Sequence, residues 1–568
     1  MKPRMEKGVE VACDPVTVEP LEPPAKAAKV EKEVEDGSLE NLFGGTASST
    51  PSPASPPAED DYGREQRDTR FHFPLARIIA TMLMLLPATY ALSIRQQSAN
   101  IGTFLADSCQ DNFSVTTACS GTDLLVPVML LFFQTSARVL STAEVEISHL
   151  WSCENDEYKS RWIRDVMGCS QVFRDIKDIA TGKAAAWQHE VATLVSCGLL
   201  YACGFSCKSI SALNSQRHKF LTCIRSRKGS TGETFWASYL YIRKYLPLWC
   251  WFENVARFSG TNLEAVTGLL RGLGYVVIVL LMNLDDHGTK CRRNRVWIIA
   301  KLEPDATVAQ QEILQQQAHF LEAAIRQKPL PLSDFLSPTV DDAHADRLPR
   351  KRKARVQKRS QKVTKPKRSQ KVTRPKNQKK AKPRKYESLH DEVWDGERPE
   401  IMPEQLQEVA PMLTAREVDV ALYDFVVGMK DDDMDDNKPR IMDVSQSIHR
   451  FPALTDMCPT ITPGGRLLMF HQNKYRLVGG FERLKLQGLD MEHMMPTESM
   501  VAAQAFTQKQ LHNLAGNAFS GSHVAVVLTV VLALFKFPTT VRELEDMKAK
   551  AVFLRVSVPF HISRRYQA

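Results

Sequence analysis

The chain has 568 residues, of which 43% are hydrophobic and 24% are charged, as in an ordinary globular protein of two or three domains. The net charge of +9 is misleading, because residues 350–385 hold 19 Lys and Arg and no acid, and without them the net charge is −10. The twelve cysteines include no C-x-x-C pair, which argues against zinc ribbons and fingers, and no metal is expected. No signal peptide is recognisable, so an intracellular protein with reduced thiols is expected.

The first 67 residues are predicted to be a disordered tail. They are rich in Pro, Ser, Glu and Ala and poor in aromatic residues, so they cannot bury enough apolar surface to fold. Beyond them, the apolar run from Ile78 to Leu92 is the nearest approach to a membrane span, but it is short and contains Pro87. It is therefore predicted to form a buried helix, and no membrane partner is expected.

Residues 68–335 are predicted to form the core of an α/β protein. Apolar runs of strand length, such as "FSVTTACSG", "LLYACGFS", "LPLWCWFENV", "GYVVIVLLMN" and "RVWIIAKLE", alternate with amphipathic stretches such as "DEYKSRWIRDVMG". This alternation predicts a mostly parallel sheet with helices on both faces. In such sheets, ligands bind outside the carboxyl ends of the strands.

Four segments follow the predicted core. Residues 336–385 form a basic insert with a tandem repeat, "RSQKVTKPK" and then "RSQKVTRPK", whose charge and prolines predict an extended, solvated chain. Residues 386–480 are mixed and polar. Residues 481–535 contain "SHVAVVLTVVLALF", a strongly apolar helix or strand that must pack on the first sheet, and residues 536–568 form a C-terminal extension.

Three strand ends carry residues suited to a cofactor. The turn "ACSGTD" offers Ser120, Gly121 and Thr122, and a small-residue turn between strand and helix lets the backbone approach a ligand. Glu154 ends a second strand, where an acid can accept hydrogen bonds from a ribose, and Asp175 repeats the pattern as a candidate for an adenine amino group. Each is also an ordinary βα turn or helix start, but the three in order favour an adenosine-type cofactor.

A second group of residues is suited to covalent chemistry. Cys207 follows a strand, and a thiolate beside a cation such as Lys208 is a strong nucleophile, although most cysteines are buried and inert. Glu253 follows "WCWF", where partial desolvation would raise its pKa and suit it to donating a proton, or it simply begins a helix. Arg293 and Arg295 precede a strand and could bind carboxylates, base carbonyls or phosphates, or form a solvated edge.

In this order, the motifs resemble those of the cytosine-C5 DNA methyltransferase family over roughly residues 113–535. "TTACSGTDL" resembles its glycine-rich first motif, "ENDEY" its ribose-binding acid and "RDIKDI" its third motif. "GFSCKSIS" stands where the family has Gly-Phe-Pro-Cys-Gln-x-x-Ser, and "FENVARF" and "CRRNRVWIIA" are similar to its Glu-Asn-Val and Gln-x-Arg-x-Arg motifs. "CPTITPGG", "RLVGGFERLKLQGLD" and "LAGNAFSG" resemble the end of its target-recognition region, its ninth motif and its Gly-Asn motif.

The resemblance implies a Rossmann-like S-adenosylmethionine-dependent methyltransferase fold with a smaller, mixed target-recognition region. It implies methylation of C5 of a flipped-out cytosine in DNA, with Cys207 attacking C6, Glu253 acting at N3, and Arg295 and Arg293 holding the base and the cysteine loop. The implied partner is DNA, in the nucleus, and a monomer is the default. S-adenosylmethionine is the implied cofactor, held by Ser120, Gly121, Thr122, Glu154, Asp175 and Asn517.

Several supporting positions depart from the family's pattern. Ser206 replaces a proline, which predicts a less rigid loop, and Lys208 and Cys291 each replace a glutamine. Cys119 replaces an aromatic residue and Asp123 the second glycine of the first motif. These departures leave a weakly active or inactive nucleic-acid-binding relative as an alternative. An RNA cytosine-C5 methyltransferase is another, because the chemistry and motifs are shared.

Overall fold

The computed structural model of the chain describes residues 73–189, 191–336, 402–428, 438–446 and 453–557. The predictions made for the N-terminal tail, and for the basic insert beyond residue 336, lie outside these residues.

A mixed sheet forms the centre of the fold. The strands of this part of the chain are β1 (Phe113–Ala118), β2 (Ile147–Cys153), β3 (Val172–Phe173), β4 (Lys183–Ala185), β5 (Ala192–Leu194), β6 (Leu200–Cys203), β7 (Trp249–Val255), β8 (Tyr275–Asn283) and β9 (Asn294–Leu302). Seven of them form one sheet in the order β3-β2-β1-β6-β7-β9-β8, while β4 and β5 pair separately. Within the large sheet β9 runs in the opposite direction to the other six strands. The predicted mostly parallel α/β sheet is confirmed.

Helices cover the sheet and complete the C-terminal part of the chain. They are α1 (Pro74–Met84), α2 (Ala88–Asp107), α3 (Leu125–Leu140), α4 (Glu157–Asp165), α5 (Ile176–Ile179), α6 (Cys223–Ser226), α7 (Gly229–Tyr245), α8 (Thr261–Arg271), α9 (Val308–Ala324), α10 (Glu404–Gln407), α11 (Ala415–Tyr423), α12 (Gly480–Leu486), α13 (Met491–Met494), α14 (Thr497–Ala503), α15 (Gln508–Asn517), α16 (Gly521–Leu534) and α17 (Val541–Ser557). One group packs around α16 and contains α1, α2, α3 and α9, and another contains α5 to α8.

The apolar helix α16 is the centre of the first group. Its residues from Gly521 to Ala533 are buried, and Phe535, just beyond it, packs edge-on against Trp249 of β7 at 5.1 Å between ring centroids. The helical stretch Gln508–Leu534 is long and apolar enough to cross a membrane, but 89% of its apolar window is buried inside the fold. Its hydrophobicity is therefore accounted for by core packing.

The predicted single helix across Ile78 to Leu92 is instead two helices. Helix α1 ends at Met84, Pro87 is the N-cap of α2, and the two helix axes differ by 115°. Proline cannot continue a helix without losing a backbone hydrogen bond, and its fixed φ suits a helix start. The face of α1 from Ile78 to Met82 is buried, whereas Leu92 in α2 is 60% exposed.

Two glutamines of α9 form hydrogen bonds with the backbone of the edge strand β8. The amide of Gln311 accepts from the backbone N–H of Val277 at 2.7 Å and donates to its carbonyl at 2.6 Å. Gln315, one turn later, makes the same pair of bonds to Val279. These side chains satisfy the backbone groups that an open sheet edge leaves unpaired.

A second, smaller sheet belongs to the predicted recognition region. Its strands are β10 (Arg440–Asp443), β11 (Leu454–Thr455), β12 (Leu467–His471) and β13 (Lys474–Leu477), in the antiparallel order β11-β10-β12-β13. Together with α10 and α11 this sheet buries its own hydrophobic cluster, which includes Leu406, Leu422, Met442 and Leu468. The smaller mixed region of the predicted fold is thus present.

Candidate active site

The turn after β1 has three residues in left-handed backbone conformations. Cys119, Gly121 and Asp123 have φ values of 52°, 77° and 54°. Asp123 therefore keeps the backbone conformation that a second glycine would adopt, since Asp tolerates this region better than most residues. At Gly121 a side chain is excluded, because a Cβ atom would lie 2.7 Å from the carbonyl oxygen of Asn517. The predicted cofactor turn and the Gly-Asn motif are in direct contact.

Asp123 is buried beneath this turn. Its carboxylate accepts hydrogen bonds from the hydroxyls of Ser120 and Thr117, and it lies 3.6 Å from Nε2 of His149. Burial raises the pKa of Asp123, and His149 together with the hydroxyls of Ser152 and Thr117 opposes that shift. Burial likewise lowers the pKa of His149. Asp123 thus stabilises the turn through a small buried network of polar side chains.

Glu154 and Asp175 lie at the carboxyl ends of β2 and β3. The Glu154 side chain is 7% exposed, and its Oε1 accepts from the N–H of Asp156 at 3.2 Å. Burial raises the pKa of Glu154, against the attraction of Lys159 at 3.9 Å. Asp175 is the N-cap of α5, where its Oδ1 accepts from the N–H of Lys177 at 2.9 Å. Both acids keep acceptor positions that these hydrogen bonds do not use.

These residues fit S-adenosylmethionine. The buried hydroxyl of Thr122 has no hydrogen-bond partner in the described part of the chain, so the turn retains an unsatisfied polar atom. Glu154 and Asp175 lie at the carboxyl ends of neighbouring strands, which suits a ligand with ribose hydroxyls and a cationic amino group. The amide of Asn517 donates to Asn513, its backbone and Cβ face Gly121, and its role in cofactor binding stays a prediction.

The cysteine loop begins beside the cofactor turn. The N–H of Gly204 donates to the carbonyl of Ala118 at 3.1 Å, which ties β6 to the end of β1. A Cβ atom at Gly204 would lie 2.8 Å from the carbonyl oxygen of Cys119 and 2.9 Å from the ring of Phe519. The close approach at Gly204 therefore puts Cys207 three residues from the cofactor turn.

Hydrogen bonds hold the loop at the position where the family has proline. The N–H of Ser206, which a proline would lack, donates to Oγ1 of Thr234 at 3.1 Å. The hydroxyl of Ser206 donates to Ser230 at 3.1 Å and accepts from the N–H of Lys208 at 3.3 Å. Asn254 donates to the carbonyl of Phe205 at 2.9 Å. The loop is thus fixed by side-chain contacts rather than by a pyrrolidine ring.

Cys207 is half-buried on this loop, near Glu253 of β7 and Arg295 of β9. Burial raises the pKa of its thiol, and the carboxylate of Glu253 adds to the shift. Arg295 and Arg293 oppose it, whereas Lys208, the cation expected from the sequence, is exposed. The thiol is therefore mostly protonated in the free protein at neutral pH, and a bound substrate would have to promote its ionisation.

Glu253 and Arg295 form an ion pair beside Cys207. Nε of Arg295 lies 2.6 Å from Oε1 of Glu253, and the two side chains are 12% and 14% exposed. In the antiparallel pairing of β7 and β9, Glu253 is opposite Trp297 and Arg295 is opposite Val255, so the two residues are diagonal neighbours on one face. The structure thus brings together Cys207, Glu253 and Arg295.

The guanidinium of Arg293 is bonded to backbone carbonyls from other segments of the chain. Arg293 is 2% exposed, and its guanidinium donates to the carbonyls of Ala518 at 2.6 Å, Ile461 at 3.3 Å and Gly516 at 3.4 Å. Burial lowers the pKa of Arg293 to about 9. Its contacts connect the eighth motif to the Gly-Asn motif and to the end of the predicted recognition region, so it joins these three segments.

The same junction contains the cysteine that replaces the family's glutamine. Cys291 and Cys458 form a parallel β-bridge, and both are fully buried. The N–H of Arg292 donates to the carbonyl of Cys458, whose own N–H donates to Lys290, each at 2.9 Å. The predicted recognition region is thus attached to the core by backbone hydrogen bonds one to three residues before Arg293.

Several residues that build the site were not predicted from the sequence. Phe519 packs against both Gly204 and Trp297, and Thr234 and Ser230 of helix α7 bind the cysteine loop. Phe519 and Asn254 lie within recognised motifs, whereas Thr234 and Ser230 do not. The contacts of all four were not predictable, because they join segments that are apart in the chain.

The fold and the site together define an S-adenosylmethionine-dependent methyltransferase that carries a cysteine nucleophile candidate. The chain belongs to the C-5 cytosine-specific DNA methylase family, whose model it matches over residues 135–527. Members of this family use S-adenosylmethionine as the methyl donor, and the prediction of this cofactor is confirmed.

Solved structures with a similar chain path include two eukaryotic methyltransferases and one from a prophage. The S. pombe Dnmt2 methyltransferase is 12% identical, with 74% of this chain and 98% of that chain covered and a TM-score of 0.38. The Entamoeba histolytica methyltransferase EhMeth is 11% identical, with the same coverages and TM-score. A putative DNA modification methyltransferase from an E. coli prophage is 14% identical, covering 74% and 99%, with a TM-score of 0.36. No curated protein sequence matches the chain.

Proposed function

We propose that this protein methylates C5 of cytosine in DNA through a transient covalent bond between Cys207 and C6 of the base. The observation that carries the proposal is the grouping of Cys207 with the Glu253–Arg295 ion pair, next to a turn that fits S-adenosylmethionine. Cysteine is the strongest ordinary nucleophile among protein side chains, and C5 of cytosine becomes nucleophilic only after addition at C6.

The proposed steps use the residues of this group in order. The Cys207 thiolate forms a bond to C6 of a cytosine flipped out of the helix, and the C5–C6 π electrons move to C5. In the proposal Glu253 hydrogen-bonds N3 and stabilises the charge that develops on the ring. Bound S-adenosylmethionine supplies the electrophilic methyl group. A base then removes the proton from C5, the C5–C6 double bond re-forms and the thiolate leaves.

Arg295 has two roles in this proposal. Its guanidinium holds the Glu253 carboxylate in one orientation, and its charge lowers the pKa of Cys207 against the effect of burial. Arg293 acts through structure, because it fixes the carbonyls of Gly516 and Ala518 beside the cofactor turn. In the proposal it is a positioning residue and does not touch the base.

A basic surface beside Cys207 supports a nucleic-acid substrate. From Cys207 to Gly232 the chain carries six Lys and Arg and no Asp or Glu. The six cations are exposed: Lys208, Arg217, Lys219, Arg225, Arg227 and Lys228. Exposed cations along one loop suit a phosphate backbone that passes the nucleophile. We favour DNA over RNA because the matched family model is that of DNA methylases.

The regional assignments are part of the same proposal. Residues 386–480 would read the target and residues 350–385, with 19 cations and no acid, would contact phosphates or direct nuclear import. Deleting residues 350–385 should weaken binding to all sequences alike and flatten its salt dependence. Unchanged affinity and salt slope would remove the phosphate role from the insert.

The deciding experiment is capture of the covalent intermediate. The full chain is incubated with S-adenosylmethionine and duplex DNA containing 5-fluorocytosine, whose C5 fluorine cannot leave as a proton, and the adduct is measured by mass spectrometry. We expect an adduct that needs the cofactor, maps to Cys207, is lost in Cys207→Ala and persists in Cys109→Ala, a substitution at an exposed cysteine. An adduct with 5-fluorocytosine RNA alone would transfer the proposal to RNA, and no adduct with either would overturn it.

A further inference from the structure

A network of three polar side chains joins the helix that follows Glu154 to the Gly-Asn motif. The hydroxyl of Tyr158, in the first turn of α4, donates to Oδ1 of Asn513 on α15. The same oxygen accepts from the amide of Asn517 at 2.8 Å, and that amide also donates to the carbonyl of Asn513 at 2.8 Å. Tyr158 and Asn513 are 355 residues apart in the chain, so this network is a tertiary contact.

Both ends of the network lie at the predicted cofactor site. At one end Asn517 packs against Gly121, where an added Cβ would lie 2.9 Å from the Cβ of Asn517. At the other end Tyr158 follows Glu154 by four residues. Burial, with the carboxylates of Asp156 and Glu154, raises the pKa of Tyr158. The hydroxyl therefore keeps its proton and remains a hydrogen-bond donor at neutral pH.

Two aromatic contacts hold the same face of α4 against the C-terminal part of the chain. Trp162 packs edge-on against Phe506 at 5.2 Å between ring centroids, and the guanidinium of Arg161 lies 4.4 Å from the centroid of the same ring. Positions 158, 161 and 162 share one face of the helix, because residues three and four apart are neighbours. These contacts do not involve the hydroxyl of Tyr158, so its removal should leave the fold intact.

We infer that Tyr158 is a positioning residue for S-adenosylmethionine. Its hydroxyl holds Asn513, which holds the amide of Asn517, whose backbone and Cβ pack against Gly121. This role rests on the proposed placement of the cofactor at the turn after β1, and Tyr158 acts through Asn513 without touching the ligand. Without the hydroxyl, the end of α15 would be held less firmly against the turn. Because the cofactor binds only the formed site, its apparent affinity would fall with the fraction of molecules in which the site is formed.

The test is calorimetric titration of the full chain with S-adenosylmethionine in the absence of nucleic acid. Tyr158→Phe, which removes a single oxygen atom, should weaken binding by about fivefold or more, the scale of one hydrogen bond. The matched control is Tyr90→Phe, at a half-buried tyrosine of α2, and it should bind as wild type does. A loss of less than twofold in Tyr158→Phe would overturn the inference.

A double-mutant cycle distinguishes one network from two separate effects. Asn513→Ala removes the acceptor and should weaken binding at least as much as Tyr158→Phe does. If the hydroxyl acts through Asn513, adding Tyr158→Phe to Asn513→Ala should cause less than about twofold further loss. Losses that multiply would overturn the inference, because the hydroxyl would then act by another route.

Hydrogen exchange of the free protein tests the network without any ligand. The backbone amides of residues 513–517, at the end of α15, should exchange about threefold faster in Tyr158→Phe than in wild type, while those of the buried helix α16 should not change. Equal exchange at residues 513–517 in the two proteins would overturn the inference. Neither measurement uses nucleic acid, so loss of this role would leave adduct formation by Cys207 untouched, and a missing adduct would leave this role standing.

Discussion

Nε of Arg295 lies 2.6 Å from Oε1 of Glu253, and both side chains are mostly buried beside the Cys207 thiol. The pair sits on antiparallel strands two positions out of register, so the strand pairing itself fixes the carboxylate relative to the guanidinium. Removing either partner would change two properties at once, the ionisation of the thiol and the group available to N3 of the base. These two properties can be separated by experiment.

The first prediction concerns adduct formation. Glu253→Gln should slow the formation of the 5-fluorocytosine adduct by about 100-fold or more. An amide cannot supply a proton to N3 of the base as a carboxyl group can. The measurement is the adduct rate at saturating S-adenosylmethionine. The matched control is Glu264→Gln, which changes an exposed acid on α8 and should leave the rate unchanged. A rate within threefold of wild type would remove Glu253 from the chemistry.

The second prediction concerns the reactivity of the free thiol. Because burial and Glu253 raise the pKa of Cys207, its alkylation by iodoacetamide should still rise above about pH 8.5, the ordinary thiol pKa. Glu253→Gln removes the negative charge and should speed alkylation at pH 7.5 by about threefold to tenfold, whereas Arg295→Met should slow it. Site-specific peptide mass spectrometry gives the rate, with exposed Cys109 as the internal reference. If Glu253→Gln slowed both alkylation and adduct formation, the electrostatic account of this thiol would be wrong.

The third prediction tests the cofactor turn. Gly121→Ala would place a Cβ 2.7 Å from the carbonyl oxygen of Asn517 in a backbone conformation with φ of 77°. Strain of this kind costs on the order of 1–3 kcal/mol, so we expect binding of S-adenosylmethionine to weaken by tenfold or more. Calorimetry measures the affinity, with Gly102→Ala as the control because a Cβ there meets nothing within 4 Å. Wild-type affinity in Gly121→Ala would place the cofactor elsewhere.

The fourth prediction concerns the departure from the family's Pro-Cys pattern. Restoring the proline, Ser206→Pro, should lower the free energy of unfolding by about 1–2 kcal/mol, because it removes the N–H bond to Thr234 and both bonds of the hydroxyl. Ser206→Ala, which keeps the N–H, should lose less. Urea unfolding measures both. A proline variant more stable than wild type would mean that these hydrogen bonds contribute nothing.

The site residues at the ends of the strands could be predicted from the sequence, whereas the residues that hold them in place through long-range contacts could not. Glu154, Asp175 and Cys207 were found because an apolar run followed by a polar residue marks the edge of a parallel sheet. The role of Arg293 could not be predicted, since its acceptors Ile461 and Ala518 lie 168 and 225 residues away in the chain. Local pattern also suggested Lys208 as the cation near the thiol, but the strand pairing supplies Arg295 instead.

The last prediction concerns Arg293, whose loss should change both the stability of the protein and the attachment of the predicted recognition region. Arg293→Met leaves the carbonyls of Ala518, Ile461 and Gly516 without their donor. The variant no longer buries a charge, but the unpaired carbonyls cost more than this gains. We expect the free energy of unfolding to fall by about 1–3 kcal/mol. Arg292→Met, at the exposed neighbouring position, should be nearly neutral. Urea unfolding gives the stabilities, and hydrogen exchange should show faster opening near Ile461 in Arg293→Met alone. If the two variants behaved alike, the buried guanidinium would not be what joins the recognition region to the Gly-Asn motif.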